Sequence, residues 1–252
     1  MRKVIAVVNQ KGGVGKTSVC LHTAGVLAET GLRVLLIDMD EQGNLSSVFV
    51  DDPNSLEYSI NDLLDDEPEV DPDEVIQQTR FENIDILPAN ITLSNVAERL
   101  AGIDDAQFFL LEAIQDVQKS YDTVLIDCPP SLSRATRMAM VAADGVLIPI
   151  ECQEWAFSGS NKVLRLVNQV RKRVNQDLEV IGFVINKYNP RRALEQDYNK
   201  ALRQQYGDQI FRTEFRNNVE YTEAATLRMP ISFYKPASEQ ADAFRMFVKE
   251  LF

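Results

Sequence analysis

Near the start of the chain two lysines bracket a run of glycines: Lys11-Gly12-Gly13-Val14-Gly15-Lys16-Thr17. Glycines let backbone N–H groups turn inward and cradle phosphate oxygens. A helix beginning directly behind such a loop adds the positive end of its dipole. In that setting Lys16 reaches the β- and γ-phosphates and the Thr17 hydroxyl is a ligand for Mg²⁺. The expected nucleotide-binding set is Lys11, Gly12, Gly13, Val14, Gly15, Lys16, Thr17 and Ser18. The string lacks the leading glycine of the GxxxxGK[ST] pattern and carries Lys11 ahead of its glycine pair. Three carboxylates are candidates to complete the chemistry. Asp38 and Asp40 close the apolar run Val34-Leu35-Leu36-Ile37. Side chains on a strand alternate, so these two emerge on one side. Asp127 closes Thr123-Val124-Leu125-Ile126 and is followed by Cys128-Pro129-Pro130-Ser131. A carboxylate there would hold Mg²⁺ through water.

These residues need a scaffold that brings strand ends together. Val4–Val8, Val34–Ile37, Ile84–Leu87, Thr123–Ile126, Val146–Ile150 and Val180–Ile185 are short, continuous apolar runs. Such runs suit strands buried on both faces of a parallel sheet. Helical spacing lies between them in Lys16–Thr30, with Gly31 as its stop, and in Asp104–Ser120, Ser160–Val174, Arg191–Tyr206 and Ser238–Phe252. The alternation predicts an α/β fold: a doubly wound, mostly parallel sheet with helices on both faces. In such a sheet, ligands bind at the C-terminal edge. Residues 1–252 are expected to form a single domain, with an acidic surface insertion at about 51–80.

Composition narrows the class. At 45 % hydrophobic and 25 % charged residues, the chain can fill a core. No apolar run approaches the roughly 18 residues that span a bilayer. The run after Met1-Arg2-Lys3 is too short for a signal-peptide core, so a cytoplasmic location is expected. The three cysteines, Cys20, Cys128 and Cys152, make no CxxC pair and are expected to be packed thiols. The net charge of −12 is uneven: residues 51–79 hold eleven acidic residues and no Lys or Arg. Residues 160–252 hold sixteen Lys plus Arg against eleven Asp plus Glu, which leaves room for an anionic partner. The single histidine, His22, falls in the helix behind the loop and is expected to be structural.

The string KGGVGKT resembles the deviant Walker A motif of the ParA/MinD ATPase family, closest to its ParA/Soj-type partition members. Asp38-Met39-Asp40-Glu41-Gln42-Gly43-Asn44 resembles that family's DxDxQGN segment, and Asp127-Cys128-Pro129-Pro130-Ser131 its switch region. The resemblance runs nearly end to end and lapses over 51–80. It implies an ATP hydrolase with ATP and Mg²⁺ as cofactors and Lys11, Lys16 and Asp40 as catalytic residues. Lys11 would cross to the nucleotide of a second subunit in an ATP-bound homodimer. Asp40 would orient the attacking water. Thr17, Asp38 and Asp127 would form the metal set. Asn186 is a base contact or a turn-forming Asn. Phe215, in a segment similar to the family's IPRNVxxSEA, is a further nucleotide candidate.

Relatives of this type bind DNA without sequence preference. The candidates here are Lys162, Arg165, Arg191, Arg192, Arg216 and Arg228, with Lys172 and Arg173, although a solvated helix face explains those of 162–173 equally well. The implied activity is to position or segregate a cargo (plasmid, chromosome or protein assembly) at the nucleoid. A ParB-like or cargo-adaptor protein would stimulate hydrolysis, and no membrane is expected. The alternative is a MinD-like membrane-associated positioning ATPase whose C-terminal helix meets lipid. A metabolic enzyme of the dethiobiotin-synthetase type shares the fold, but no small-molecule site stands out. A nitrogenase-reductase role lacks its bridging cysteines.

Overall fold

The computed structural model describes residues 3–103 and 105–252. Eight strands form one sheet: β1 (Lys3–Val7), β2 (Val34–Asp38), β3 (Gln77–Gln78), β4 (Ile84–Leu87), β5 (Thr123–Asp127), β6 (Gly145–Ile150), β7 (Glu179–Tyr188) and β8 (Ile210–Arg216). Their spatial order is β3-β4-β2-β5-β1-β6-β7-β8. Every pairing is parallel except β3 with β4 at the edge. The longer helices are α1 (Lys16–Glu29), α2 (Phe109–Ile114), α3 (Arg134–Ala142), α4 (Trp155–Arg173), α5 (Ala193–Tyr206), α6 (Val219–Thr226) and α7 (Glu239–Leu251).

The apolar strands are buried on both sides because successive side chains feed opposite layers. Val4, Ala6, Leu35, Ile37, Val124 and Ile126 enter one layer, with residues of α2, α3, α4 and α5. Ile5, Val7, Val34, Leu36 and Leu125 enter the other, with residues of α1 and α7. Helix α1 stops where expected. Gly31, at φ 82°, lets its own N–H reach Ala28 O at 2.9 Å while Leu32 N–H reaches Leu27 O. A side chain would strain that left-handed conformation.

The C-terminal helix is a core element. Ala241, Phe244, Phe247 and Leu251 of α7 are buried, and Arg245 pairs with Glu29 of α1 at 2.9 Å. Each buried Phe contributes roughly 1.5–3 kcal/mol. Among the described residues, no helix is long and apolar enough to cross a membrane.

Several expectations need correction. Over 105–120 the expected helix is a single turn of 3₁₀ helix (Ala106–Phe108), the short α2 and a second 3₁₀ turn (Val117–Ser120). Its expected first residue, Asp104, lies outside the described residues, as do Met1 and Arg2. Helix α4 begins at Trp155, five residues ahead of the expected Ser160. Strands β3 and β8 and helices α3 and α6 have no counterpart in the sequence reading. The acidic segment is more than a solvated insertion. Its two short helices, Ile60–Leu63 and Pro72–Val75, open with capping boxes on Ser59/Asp62 and Asp71/Glu74. Between their charges Ile60, Leu63, Leu64, Val70 and Val75 are buried in the first core layer. Asp62, Asp71 and Glu74 cap these helices, most of the segment's acidic side chains are exposed, and the apolar residues between them face inward.

Candidate functional site

The strand order sets β1 between β5 and β6, with connections running to either side. The crevice at its C-terminal edge is therefore a topological switch point. The glycine-rich loop leaves β1 there and enters α1 at Lys16. Gly15 caps the helix at φ 94°, ψ 30°. A Cβ on Gly15 would also stand 2.1 Å from Asn186 Nδ2, so backbone conformation and close packing both require glycine.

Register brings the carboxylates in beside this loop. Asp38 on β2 pairs directly with Asp127 on β5, and Val7 of β1 pairs with Asp127 from the other side. Thr17 Oγ1–H donates to Asp127 Oδ2 at 2.6 Å. The other oxygen, Asp127 Oδ1, is buried without a hydrogen-bond partner. Lys16 is nearly enclosed, with Nζ 3.5 Å from Lys11 O. Asp38 is fully committed: Oδ1 accepts Asp40 N–H at 3.0 Å, and Oδ2 accepts the N–H and hydroxyl of Ser46 at 2.9 and 2.8 Å. It shapes the turn that carries Asp40. Asp40 accepts Gln42 N–H and lines a cavity of about 440 Å³ with Gln42, Pro129, Pro130 and Ser131.

Burial dominates the electrostatics of the two strand-end carboxylates. Burial, opposed by the Ser46 and Asp40 hydrogen bonds, pushes Asp38 up to about 6. Burial and then the neighbouring Asp38 charge push Asp127 well above the usual carboxylate range, against Thr17 and Lys16. Burial likewise raises the thiols of Cys20 and Cys128, so neither is a thiolate near neutrality. All three cysteines are free and buried, as expected.

A second cavity, about 230 Å³, opens past the first turn of α1. Ser18, Asn186, Lys187, Arg216, Asn218 and Tyr221 are among its lining residues. Asn186 Nδ2–H donates to Val14 O at 2.8 Å, so Asn186 braces the phosphate loop as well as lining this space. His22 is buried beneath it, and its Nδ1 accepts Ile231 N–H at 3.0 Å. Phe215 is withdrawn as a nucleotide contact. Its ring is 1 % exposed and stacks on Phe244 at 4.0 Å between centroids, inside the second core layer. Strand alternation turns Phe215 inward and leaves Arg216 exposed beside the cavity.

The basic candidates are not gathered in one place. Lys162 lines a cavity of about 420 Å³ with Lys11, while Arg165 lies on the exposed face of α4. Arg191 is exposed, and Arg192 pairs with Glu195 at 3.1 Å. Arg228 is drawn off to Asp51 of the acidic segment at 2.6 Å. Three polar residues at the loop escaped sequence reasoning: Glu151, Gln153 and Lys187. They belong to no motif and meet the loop only through the pairing of β6 with β7 beside β1.

The residues present fit a hydrated divalent ion. Among the described residues no three His, Cys, Asp or Glu side chains form a group that could hold a metal ion. A hydroxyl, one carboxylate with an unpartnered buried oxygen and an adjoining phosphate cradle suit magnesium, which keeps waters and shares phosphate oxygens.

Comparison with known proteins gives the family and the fold. The family model of an AAA domain (AAA_31) matches residues 2–180. The sporulation initiation inhibitor protein Soj of Bacillus subtilis is 35 % identical over 251 residues, covering 100 % of this chain and 98 % of Soj. The chain belongs to the ParA/Soj family of P-loop ATPases. The chromosome partitioning protein ParA of Caulobacter vibrioides is 34 % identical across 99 % of this chain and 93 % of its own. Among solved structures, cobyrinic acid a,c-diamide synthase of Mycobacterium smegmatis with bound ATP analog and magnesium superposes with a TM-score of 0.85. It is 30 % identical and covers 99 % of this chain and 93 % of that one. The cell division ATPase MinD of Pyrococcus furiosus gives 0.80 at 26 % identity, covering 100 % and 98 %.

Proposed function

We propose that this chain is a ParA-type ATPase that pairs around ATP, binds DNA through its phosphates and positions or segregates a cargo. The observation that carries it is the enclosure of Lys16 against the glycine-rich loop beside the Thr17–Asp127 pair at the sheet's C-terminal edge, where the other Asp127 oxygen is buried without a partner. Backbone amides of residues 12–17 hold the phosphate oxygens, and Lys16 neutralises charge at the β- and γ-positions. Thr17 and Asp127 are the residues that would hold magnesium, which would supply positive charge beside the phosphate oxygens. Asp40, on its turn braced by Asp38, orients a water in line with the γ-phosphate. Little proton abstraction is needed in phosphoryl transfer, so orientation is its contribution. Lys11 of each subunit reaches the other's nucleotide and stabilises charge on the transferred group, as an arginine finger does. The base occupies the cavity past Ser18 and Asn186. Lys162, Arg165, Arg191, Arg192 and Arg216 are the DNA candidates that remain after Arg228 is assigned to Asp51. A ParB-like or adaptor protein stimulates turnover at the nucleoid.

The test is direct. With Mg-ATP the chain should sediment as a dimer and retard duplex DNA of any sequence, with an affinity that falls steeply with salt. It should not co-sediment with anionic liposomes. Lipid binding without DNA binding would select the MinD-like alternative, which the burial of Phe244, Phe247 and Leu251 disfavours. Lys16→Ala should abolish ATP binding. Lys11→Ala should bind ATP without turning it over.

A further inference from the structure

Glu151 has no part in the chemistry described so far, yet two lysines beside the phosphate loop, Lys11 and Lys187, approach its carboxylate. It follows β6, whose last residue, Ile150, pairs with Ile185 of β7, and this places Glu151 next to Asn186 and Lys187. Glu151 Oε2 accepts a hydrogen bond from Lys11 Nζ, which also donates to Gln153 Oε1 at 2.8 Å. Glu151 Oε1 lies 3.8 Å from Lys187 Nζ, and that ammonium donates to Gly13 O in the loop itself. Lys187 reaches this position with φ 54°, a left-handed conformation uncommon for a residue with a side chain. One carboxylate, 10 % exposed, therefore holds Lys11 against its own subunit and has Lys187 beside it.

An ammonium bonded in cis to Glu151 and Gln153 cannot at the same time lie on the phosphates of another subunit. Its release requires a stronger anion, and a triphosphate is one. We propose that Glu151 is a positioning residue that retains Lys11 in cis in the nucleotide-free chain, and so sets the ATP concentration at which two copies pair. This rests on Lys11 being the crossing lysine of the proposed function. The Lys11 side chain is 41 % exposed, so solvent screens the pair. Exposed and half-exposed pairs of this kind shift an equilibrium by up to about fivefold.

The experiment titrates Mg-ATP into the full chain and follows pairing by sedimentation velocity. A second readout is the fluorescence of Trp155, the chain's one tryptophan, which is 72 % exposed and lines the same cavity as Lys11 and Glu151. Glu151→Gln keeps shape and an acceptor but removes the charge. It should pair at a lower ATP concentration, by up to about fivefold. Raising ionic strength should narrow the gap between the parent and the variant, because a screened pair retains less. In a Lys11→Ala background, Glu151→Gln should restore nothing. A Glu151→Gln protein needing as much ATP as the parent, or more, overturns the proposal; needing more would make Glu151 a brace of the dimer. A lowered requirement that persists without Lys11 overturns it too. The two levels of inference fail differently. If Lys11→Ala pairs and turns over like the parent, the crossing lysine falls and the retention of Lys11 falls with it. If Lys11→Ala is inactive but Glu151→Gln is unshifted, only the role of Glu151 falls.

Discussion

Gly15→Ala is the perturbation whose consequence follows most directly from the coordinates. At φ 94° an alanine is strained by about 1–2 kcal/mol. Its Cβ would also stand 2.1 Å from Asn186 Nδ2 and 3.3 Å from Asn186 Cγ, so the amide must move. Moving it breaks the 2.8 Å bond to Val14 O, a loss of about 1 kcal/mol net. The sum, about 2–3 kcal/mol, should appear in urea unfolding of the nucleotide-free protein, with ATP binding lost as the loop shifts. Asn186→Ala alone removes the bond and should cost about 1 kcal/mol. In the double variant the clash no longer exists and the bond cannot be lost twice. The cycle should therefore recover about 1 kcal/mol or more relative to additivity. Strictly additive losses would refute the claim that Asn186 and Gly15 exclude each other's space, leaving backbone conformation as the sole reason for glycine.

Other outcomes follow from the same coordinates. Asp40→Ala should retain ATP affinity but hydrolyse at least about 100-fold more slowly, accumulating the ATP-bound pair; single-turnover kinetics would read this. Phe215→Leu should lower stability by about 1–2 kcal/mol in chemical denaturation while leaving the dissociation constant for ATP unchanged by calorimetry, since the ring packs on Phe244 and faces no ligand. Burial pushes His22 down to about 3 from an ordinary 6.5, so the unfolded chain takes up a proton in that interval and the folded chain does not. Its contribution to stability is complete above pH 6.5. It declines by about 1.4 kcal/mol per pH unit as pH falls towards 3. Unfolding measured from pH 7 to 5 should have a shallower slope in His22→Asn.

Much of the site was legible in the sequence because its parts are local. The spacing of Lys11, the glycines, Lys16 and Thr17 fixes their relation through a few backbone torsions. An aspartate at the end of an apolar strand must lie at that strand's C-terminal edge. The parallel sheet was legible too, since runs such as Val34-Leu35-Leu36-Ile37 have no polar face to turn outward. What the sequence could not settle was which strands become neighbours. The register of β2 on β5 sets Asp38 against Asp127, and the pairing of β6 with β7 delivers Glu151 and Lys187 to a loop more than a hundred residues earlier. The inward turn of Phe215 depends on which face of β8 meets α7, and the anchoring of the acidic segment depends on a hydrophobic layer already assembled from distant strands. Chain connectivity decides chemistry within a loop or a strand end. Between them, only packing of both sheet faces and backbone pairing decide it, and those forces act on the whole chain at once.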